Sequence, residues 1–175
     1  MFILLNGTSS AGKTSIAHAL RKQLADPTLI FSRDQFHQSL PAQFWEDAAL
    51  RRLIGPTLFR QFHQSLLPFC TEEQNVIIDH VLNQAEWAPE IAGIFEGVDL
   101  YFIGVKCPIE ITEERERSRD DRPNGLARSQ IDVVHAHGAY DFTVDTSRLS
   151  AQRCAADIIN HVRNNPPTAF HRLLA

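Results

Sequence analysis

Lysine is scarce in this chain: Lys13, Lys22 and Lys106 are the only three among 17 cationic residues. The remainder are arginines, whose planar fork suits phosphates and carboxylates, whereas lysine is a compact point charge. Cysteine is scarce as well. Cys70, Cys107 and Cys154 are odd in number, widely spaced and without any CxxC or Cys/His ligand pattern. That spacing excludes a disulfide framework and a structural zinc site, and predicts buried free thiols in a reducing compartment. No apolar run is long enough to span a membrane. The apolar opening, 2–5, has no basic leader and is too short for a signal peptide, so the expected location is cytoplasmic. An excess of positive charge is also missing. The net charge of -4 implies no general affinity for nucleic acid or an anionic membrane.

What is present fits one globular domain. The 175 residues are 43% hydrophobic and 22% charged, enough for a real core. Short β-rich runs at 2–5, 28–31, 75–81, 99–105 and 142–144 are nearly continuous in apolar residues, as expected of strands covered on both faces. Helical patterns lie between them: 14–24, two segments within 34–69, 108–119, 126–135 and 150–163. This alternation predicts an α/β fold of three αβα layers, with a mostly parallel five-stranded sheet and right-handed crossovers. The domain is expected to span 1–163. Asn164-Asn165-Pro166-Pro167 stops the last helix and leaves a tail, 164–175, that packs on the domain or mediates association. Monomer and homo-oligomer are both open.

The stretch NGTSSAGKTS follows the first strand. Gly7, Thr8, Ser9, Ser10, Ala11, Gly12, Lys13 and Thr14 match G-x-x-x-x-G-K-[ST] at every fixed position, and Ser15 extends the same turn. Glycines let the backbone bend and turn successive N–H groups toward an anion. The helix that follows points the positive end of its dipole at the same place. Lys13, read as an exposed loop charge, would neutralise the β- and γ-phosphates of ATP, and the Thr14 hydroxyl would ligate Mg²⁺. GTPases, ATPases and kinases share such a loop. The GTPase base-specificity pattern Asn-Lys-x-Asp is absent.

Two carboxylates end strands. Asp34 comes directly after the second, where the ligand crevice of an open α/β sheet lies. There it can take or orient a hydroxyl proton, or simply cap a helix. Asp79 closes VIID and resembles a Walker-B acid reaching Mg²⁺. It could also contact the acceptor or be a polar strand end. Arg115, Arg119 and Arg122 share one helix face. They are read as an arginine lid around 110–128 that closes over the phosphates, against a solvated face paired with Glu113, Glu114 and Glu116. His135 and His137 lack metal-ligand spacing. Asp145 caps the turn after it or lies near the base. Phe36, Phe44, Trp45, Phe59, Phe62 and Phe69 read mainly as core, with some walling an acceptor pocket.

Taken with these features, the chain resembles chloramphenicol phosphotransferase-like P-loop kinases from Phe2 to about His161. The likeness rests on ILLNGTSSAGKTS, Asp34 followed by SLP, VIIDHV, IGVKCPIEITEERERSRDDRPNG and VVHAHGAYDFTVDTS. It implies a nucleotide-kinase-like fold, ATP, Mg²⁺ and transfer of the γ-phosphate to an alcohol, with Asp34 as base. The chain departs from the family pattern in carrying Asp79-His80 where the prototype has an Asp pair, and in its divergent 34–79 stretch. The acceptor is therefore chloramphenicol or a related antibiotic, or a metabolite, nucleoside or nucleotide. A nucleotide-dependent regulatory binder without transfer is the alternative from another class.

Overall fold

The computed structural model describes residues 1–71, 73–118 and 125–174. Five strands form the sheet: β1 (Phe2–Asn6), β2 (Thr28–Ser32), β3 (Asn75–His80), β4 (Leu100–Lys106) and β5 (Phe142–Asp145). Their order is β2-β3-β1-β4-β5, and every pairing is parallel, not merely most of them. The helices are α1 (Lys13–Gln23), α2 (Arg33–Ser39), α3 (Ala42–Glu46), α4 (Ala48–Leu66), α5 (Trp87–Ile94), α6 (Ile109–Arg117), α7 (Leu126–Val134), α8 (Ala151–Asn164) and α9 (Ala169–Leu174).

Alternation along the strands splits the core into two. Ile3, Leu5, Ile77, Ile103 and Val105 point to the face covered by α1 and α8, meeting Ile16, Leu20 and Ile158. Leu4, Val76, Ile78 and Phe102 point the other way, onto α4, α5 and α9 through Phe62, Trp87, Ile91 and Phe170. Each large side chain buried in this way contributes about 1.5–3 kcal/mol. The helices therefore lie on both faces, which gives the three layers the alternation predicts.

Three departures from the sequence expectations have local causes. The stretch 34–69 holds three helices, not two, because Pro41 opens α3 and the Asp47 carboxylate accepts the N–H groups of Ala49 and Leu50 to start α4. Helix α5 is an addition. Finally, residues 169–174 form α9, which packs on the domain. Asp141 holds it there, its Oδ1 accepting from the N–H of Thr168 and Ala169 at 2.7 and 2.8 Å, and Phe170 stacks on Phe102 at 4.6 Å. Of the cysteines, Cys107 and Cys154 are buried and Cys70 is half-buried; all three are free. Among the described residues no helix is long and apolar enough to cross a membrane.

Candidate active site

Parallel pairing brings the carboxyl ends of β1, β2 and β3 to one edge of the sheet. Leu5 and Ser32 are both in register with Asp79. The turn after β1, the start of α2 and the end of β3 therefore meet. They line a cleft of about 460 Å³, whose walls include Gly12, Lys13, Thr14, Asp34, Asp79 and Arg115.

The loop 7–12 takes the path its glycines permit. A Cβ on Gly7 would sit 2.3 Å from the Val105 carbonyl oxygen on β4, so only glycine lets the loop leave β1 so close to its neighbour. Gly12 enters α1 with φ of 93°, and Ser10 holds a left-handed φ of 57°, a strained conformation for a residue with a side chain. Gly7→Ala is expected to cost about 1–3 kcal/mol, the range of an overpacked site, and to weaken nucleotide binding with it. A thermal melt paired with a nucleotide titration checks this. If neither changes, contact with β4 does not set the loop's path.

The loop is fastened from outside as well. The Ser9 N–H donates to Gln130 Oε1 on α7 at 2.7 Å. Thr146 donates to the Ala11 carbonyl at 2.7 Å. Arg115 donates to Thr146 O at 2.9 Å and Thr146 Oγ1 at 3.1 Å, and reaches the Ser10 carbonyl at 3.4 Å. Arg115 thus braces the loop from α6 while lining the cleft. Arg119 and Arg122, the other two arginines of the expected lid face, lie outside the described residues. The acids nearby divide their work. Glu113 pairs with Arg128 at 2.5 and 3.0 Å. Glu116, almost fully buried, accepts from the N–H groups of Ala127 and Gly125 and so ties α6 to the start of α7.

Lys13 is not the exposed charge expected of a loop lysine. Only 6% of it is accessible, because the loop wraps its side chain and Nζ donates to the Thr8 carbonyl at 2.8 Å. The Thr14 hydroxyl donates to Asp79 Oδ2 at 2.6 Å, which brings the two expected metal ligands together. Two hard oxygen donors at a phosphate-binding loop suit Mg²⁺, which prefers one or two protein oxygens plus substrate phosphates and water. Among the described residues no group of three or more His, Cys, Asp or Glu stands ready to hold a metal unaided.

Asp34 lines the cleft from α2, but it is not the cap of that helix. Ser32 is: its hydroxyl accepts the Asp34 N–H at 3.2 Å. The cap of α2 therefore uses the Asp34 backbone and not its carboxylate. Its neighbour Arg33, which the sequence reading passed over, lines this cleft and a second one. The Arg33 guanidinium lies 5.5 Å from the ring centres of both Phe59 and Trp87, a cation–π geometry.

The second cleft, of about 970 Å³, is built by α2, α3, α4 and the start of α5. Phe44, Trp45 and Phe59 line it, whereas Phe36 and Phe62 stack at 4.7 Å in the interior. Beneath it runs a chain of polar groups. Arg60 donates to Glu90 at 3.0 Å, Glu90 accepts from His63 Nδ1 at 2.9 Å, and His63 Nε2 meets His80 Nε2 at 3.1 Å. Burial drives both imidazoles toward the neutral form. With His63 giving its Nδ1 proton to Glu90, its Nε2 is an acceptor, and His80 supplies the proton between the rings. The His80 that replaces an acid beside Asp79 is therefore packed inside the protein.

The remaining expectations settle into structural roles. His137 stacks on Phe102 at 4.7 Å, and His135 pairs with the Tyr140 hydroxyl at 2.6 Å. Asp145 accepts from the N–H and hydroxyl of Ser147 at 2.9 and 2.6 Å, closing the turn after β5.

Comparison with known proteins gives a consistent picture. The family model for chloramphenicol phosphotransferase-like protein matches residues 1–163. A Mycobacterium tuberculosis protein, provisionally named an O-phosphotransferase in strains CDC 1551 and H37Rv, is 30% identical over 98% of this chain and 86% of its own. Among solved structures, the APS kinase of Mycobacterium tuberculosis, in complex with AMPPNP and APS, aligns with a TM-score of 0.69 at 17% identity, over 93% of this chain and 98% of its own. A sugar kinase from a Janibacter species aligns with a TM-score of 0.65 at 17% identity, over 93% and 94%. At that identity the two kinase structures bear on the fold, which is that of the P-loop kinases.

Proposed function

This chain belongs to the chloramphenicol phosphotransferase-like family and is a kinase-type enzyme acting on a hydroxyl, and we propose on that footing that it moves the γ-phosphate of ATP to an alcohol group of a small molecule. The observation that carries the reading is the 2.6 Å contact of Thr14 with Asp79, in a cleft that Lys13 and Asp34 also line. ATP would lie with its phosphates on residues 7–15, Lys13 among them, and against Arg115 of α6. Thr14 and Asp79 would hold Mg²⁺, which when bound neutralises phosphate charge.

Asp34 accepts the proton of the acceptor hydroxyl. The acceptor oxygen forms a bond to the γ-phosphorus, the bond from that phosphorus to the β-bridging oxygen breaks, and ADP leaves. Arg119 and Arg122 are assigned to the phosphates as the chain's remaining lid arginines. The transition state of such a transfer is loose, so positioning and charge stabilisation supply most of the rate.

A screen with γ-labelled ATP tests the reading. Chloramphenicol heads the panel because the family carries its name, followed by metabolite alcohols, nucleosides and nucleotides. Label on a hydroxyl of an acceptor that is neither nucleoside nor nucleotide is the expected result. Transfer confined to nucleosides or nucleotides moves the enzyme to that class. ATP binding with no labelled product from any acceptor overturns the proposal in favour of a regulatory binder.

A further inference from the structure

The second cleft carries more positive charge than the chain as a whole would suggest. Four arginines line it, Arg33, Arg51, Arg52 and Arg60, against two acids, Glu86 and Glu90, in a protein of net charge -4. Glu90 is already engaged by His63 and Arg60. Arg51 gives a hydrogen bond to the Trp45 carbonyl, which holds the guanidinium in place without cancelling its charge. Among the described residues neither Arg51 nor Arg52 has a carboxylate partner. The two are consecutive residues near the start of α4, and both line the cleft. Phe44, Trp45, Phe59 and Trp87 add aromatic surface to the same cleft.

Resting on the phosphotransfer reading, we infer that the acceptor alcohol is an anion: a carboxylate, sulfate or phosphate group on an aromatic or apolar body, with its hydroxyl at the Arg33–Asp34 end. The argument is one of complementarity. The guanidinium fork matches oxyanions in a paired geometry that a neutral alcohol cannot use. The aromatic floor suits an apolar body, and ligand sites usually join such a floor to a few fixed polar groups. Arg33 lines both clefts, so a molecule anchored on Arg51 and Arg52 extends toward the wall where Asp34 stands. His37 does not add to this charge above acid pH: burial, helped by Arg33, lowers its pKa to about 4.

Matched acceptors test the inference. 4-(Hydroxymethyl)benzoate, 4-(hydroxymethyl)benzenesulfonate and 4-(hydroxymethyl)phenyl phosphate are each compared with 4-(hydroxymethyl)benzamide, and chloramphenicol serves as a second neutral reference. Binding is measured by calorimetry with a non-hydrolysable ATP analogue present, and transfer with γ-labelled ATP. The anions are expected to bind at least about tenfold more tightly than the amide, the scale of one charge-assisted hydrogen bond. The anion that binds best names the group. Arg51→Gln with Arg52→Gln, or Arg52→Gln alone should the pair disturb α3, is expected to remove that preference while ATP affinity and melting temperature hold. Equal or tighter binding of the neutral compounds overturns the inference, as does a preference that survives both variants. Transfer to amide and anion alike overturns it too and leaves the kinase reading standing. Anion-selective binding with no transfer supports the cleft assignment and counts against the kinase reading.

Discussion

Lys13→Ala is expected to give a folded protein that no longer transfers phosphate. A cation at the first position of a helix stands at the wrong end of the dipole, a placement that costs about 0.3–1 kcal/mol. Lys13 holds that position in α1 and is nearly buried as well. Neither circumstance favours folding by itself, which supports the phosphate-binding role proposed for Lys13. Alanine removes the misplaced charge and loses the bond to the Thr8 carbonyl, itself a contribution of about 0.5–1.5 kcal/mol. The two effects oppose each other, and the melting temperature is expected to move by no more than about 2–4 °C, the shift per kcal/mol for a domain of this size. Turnover should fall on the order of a thousandfold or more, at or above the upper range for one lost donor to transition-state charge, with weaker ATP binding. Steady-state kinetics and calorimetry read both. Near-normal turnover would remove residues 7–15 from the phosphate site.

Asp34→Asn separates chemistry from binding. The substitution keeps the side-chain shape and leaves the start of α2 intact, because the capping bond uses the Asp34 backbone N–H and the Ser32 hydroxyl. What disappears is the negative oxygen proposed to take or orient the hydroxyl proton. Turnover is expected to drop by about a hundredfold to ten-thousandfold, the range for a positioned acid or base, with ATP affinity and melting temperature nearly unchanged. A loose transition state places the observed loss toward the lower part of that span. Were only the melting temperature to fall, Asp34 would be a structural residue of α2. Full activity would transfer the base role to Asp79, the other acid among the described residues that line the cleft.

The strands and the phosphate loop were legible in the sequence because each is a local statement. Runs such as VIID and FIGV have a period and a composition of their own, and the loop's glycines answer to backbone geometry that Val105 then enforces. Helix α5 was not legible. Its sequence WAPEIAGI contains Pro89 and Gly93, which read as breakers, yet Pro89 falls in the first turn, where no helical N–H is lost. Helix α9 was hidden for another reason: it is six residues long and owes its place to Asp141 and Phe102, both distant in sequence. The site divides the same way. Lys13, Thr14, Asp34 and Asp79 follow from strand ends and spacing. Gln130, Thr146 and Arg33 act through partners on other elements, and no window of sequence contains both members of those contacts.

Arg33 has a consequence for anyone who would redesign the enzyme. One guanidinium faces both clefts and rests on Phe59 and Trp87. Repacking either ring to admit a new acceptor would also shift a group that lines the proposed phosphate cleft, so selectivity and rate are expected to change together. Arg51, Arg52 and Thr57 line the outer cleft alone. A library confined to those three positions could broaden the choice of acceptor while leaving the reaction centre untouched, whereas one that includes Phe59 or Trp87 would have to regain turnover with each round of selection.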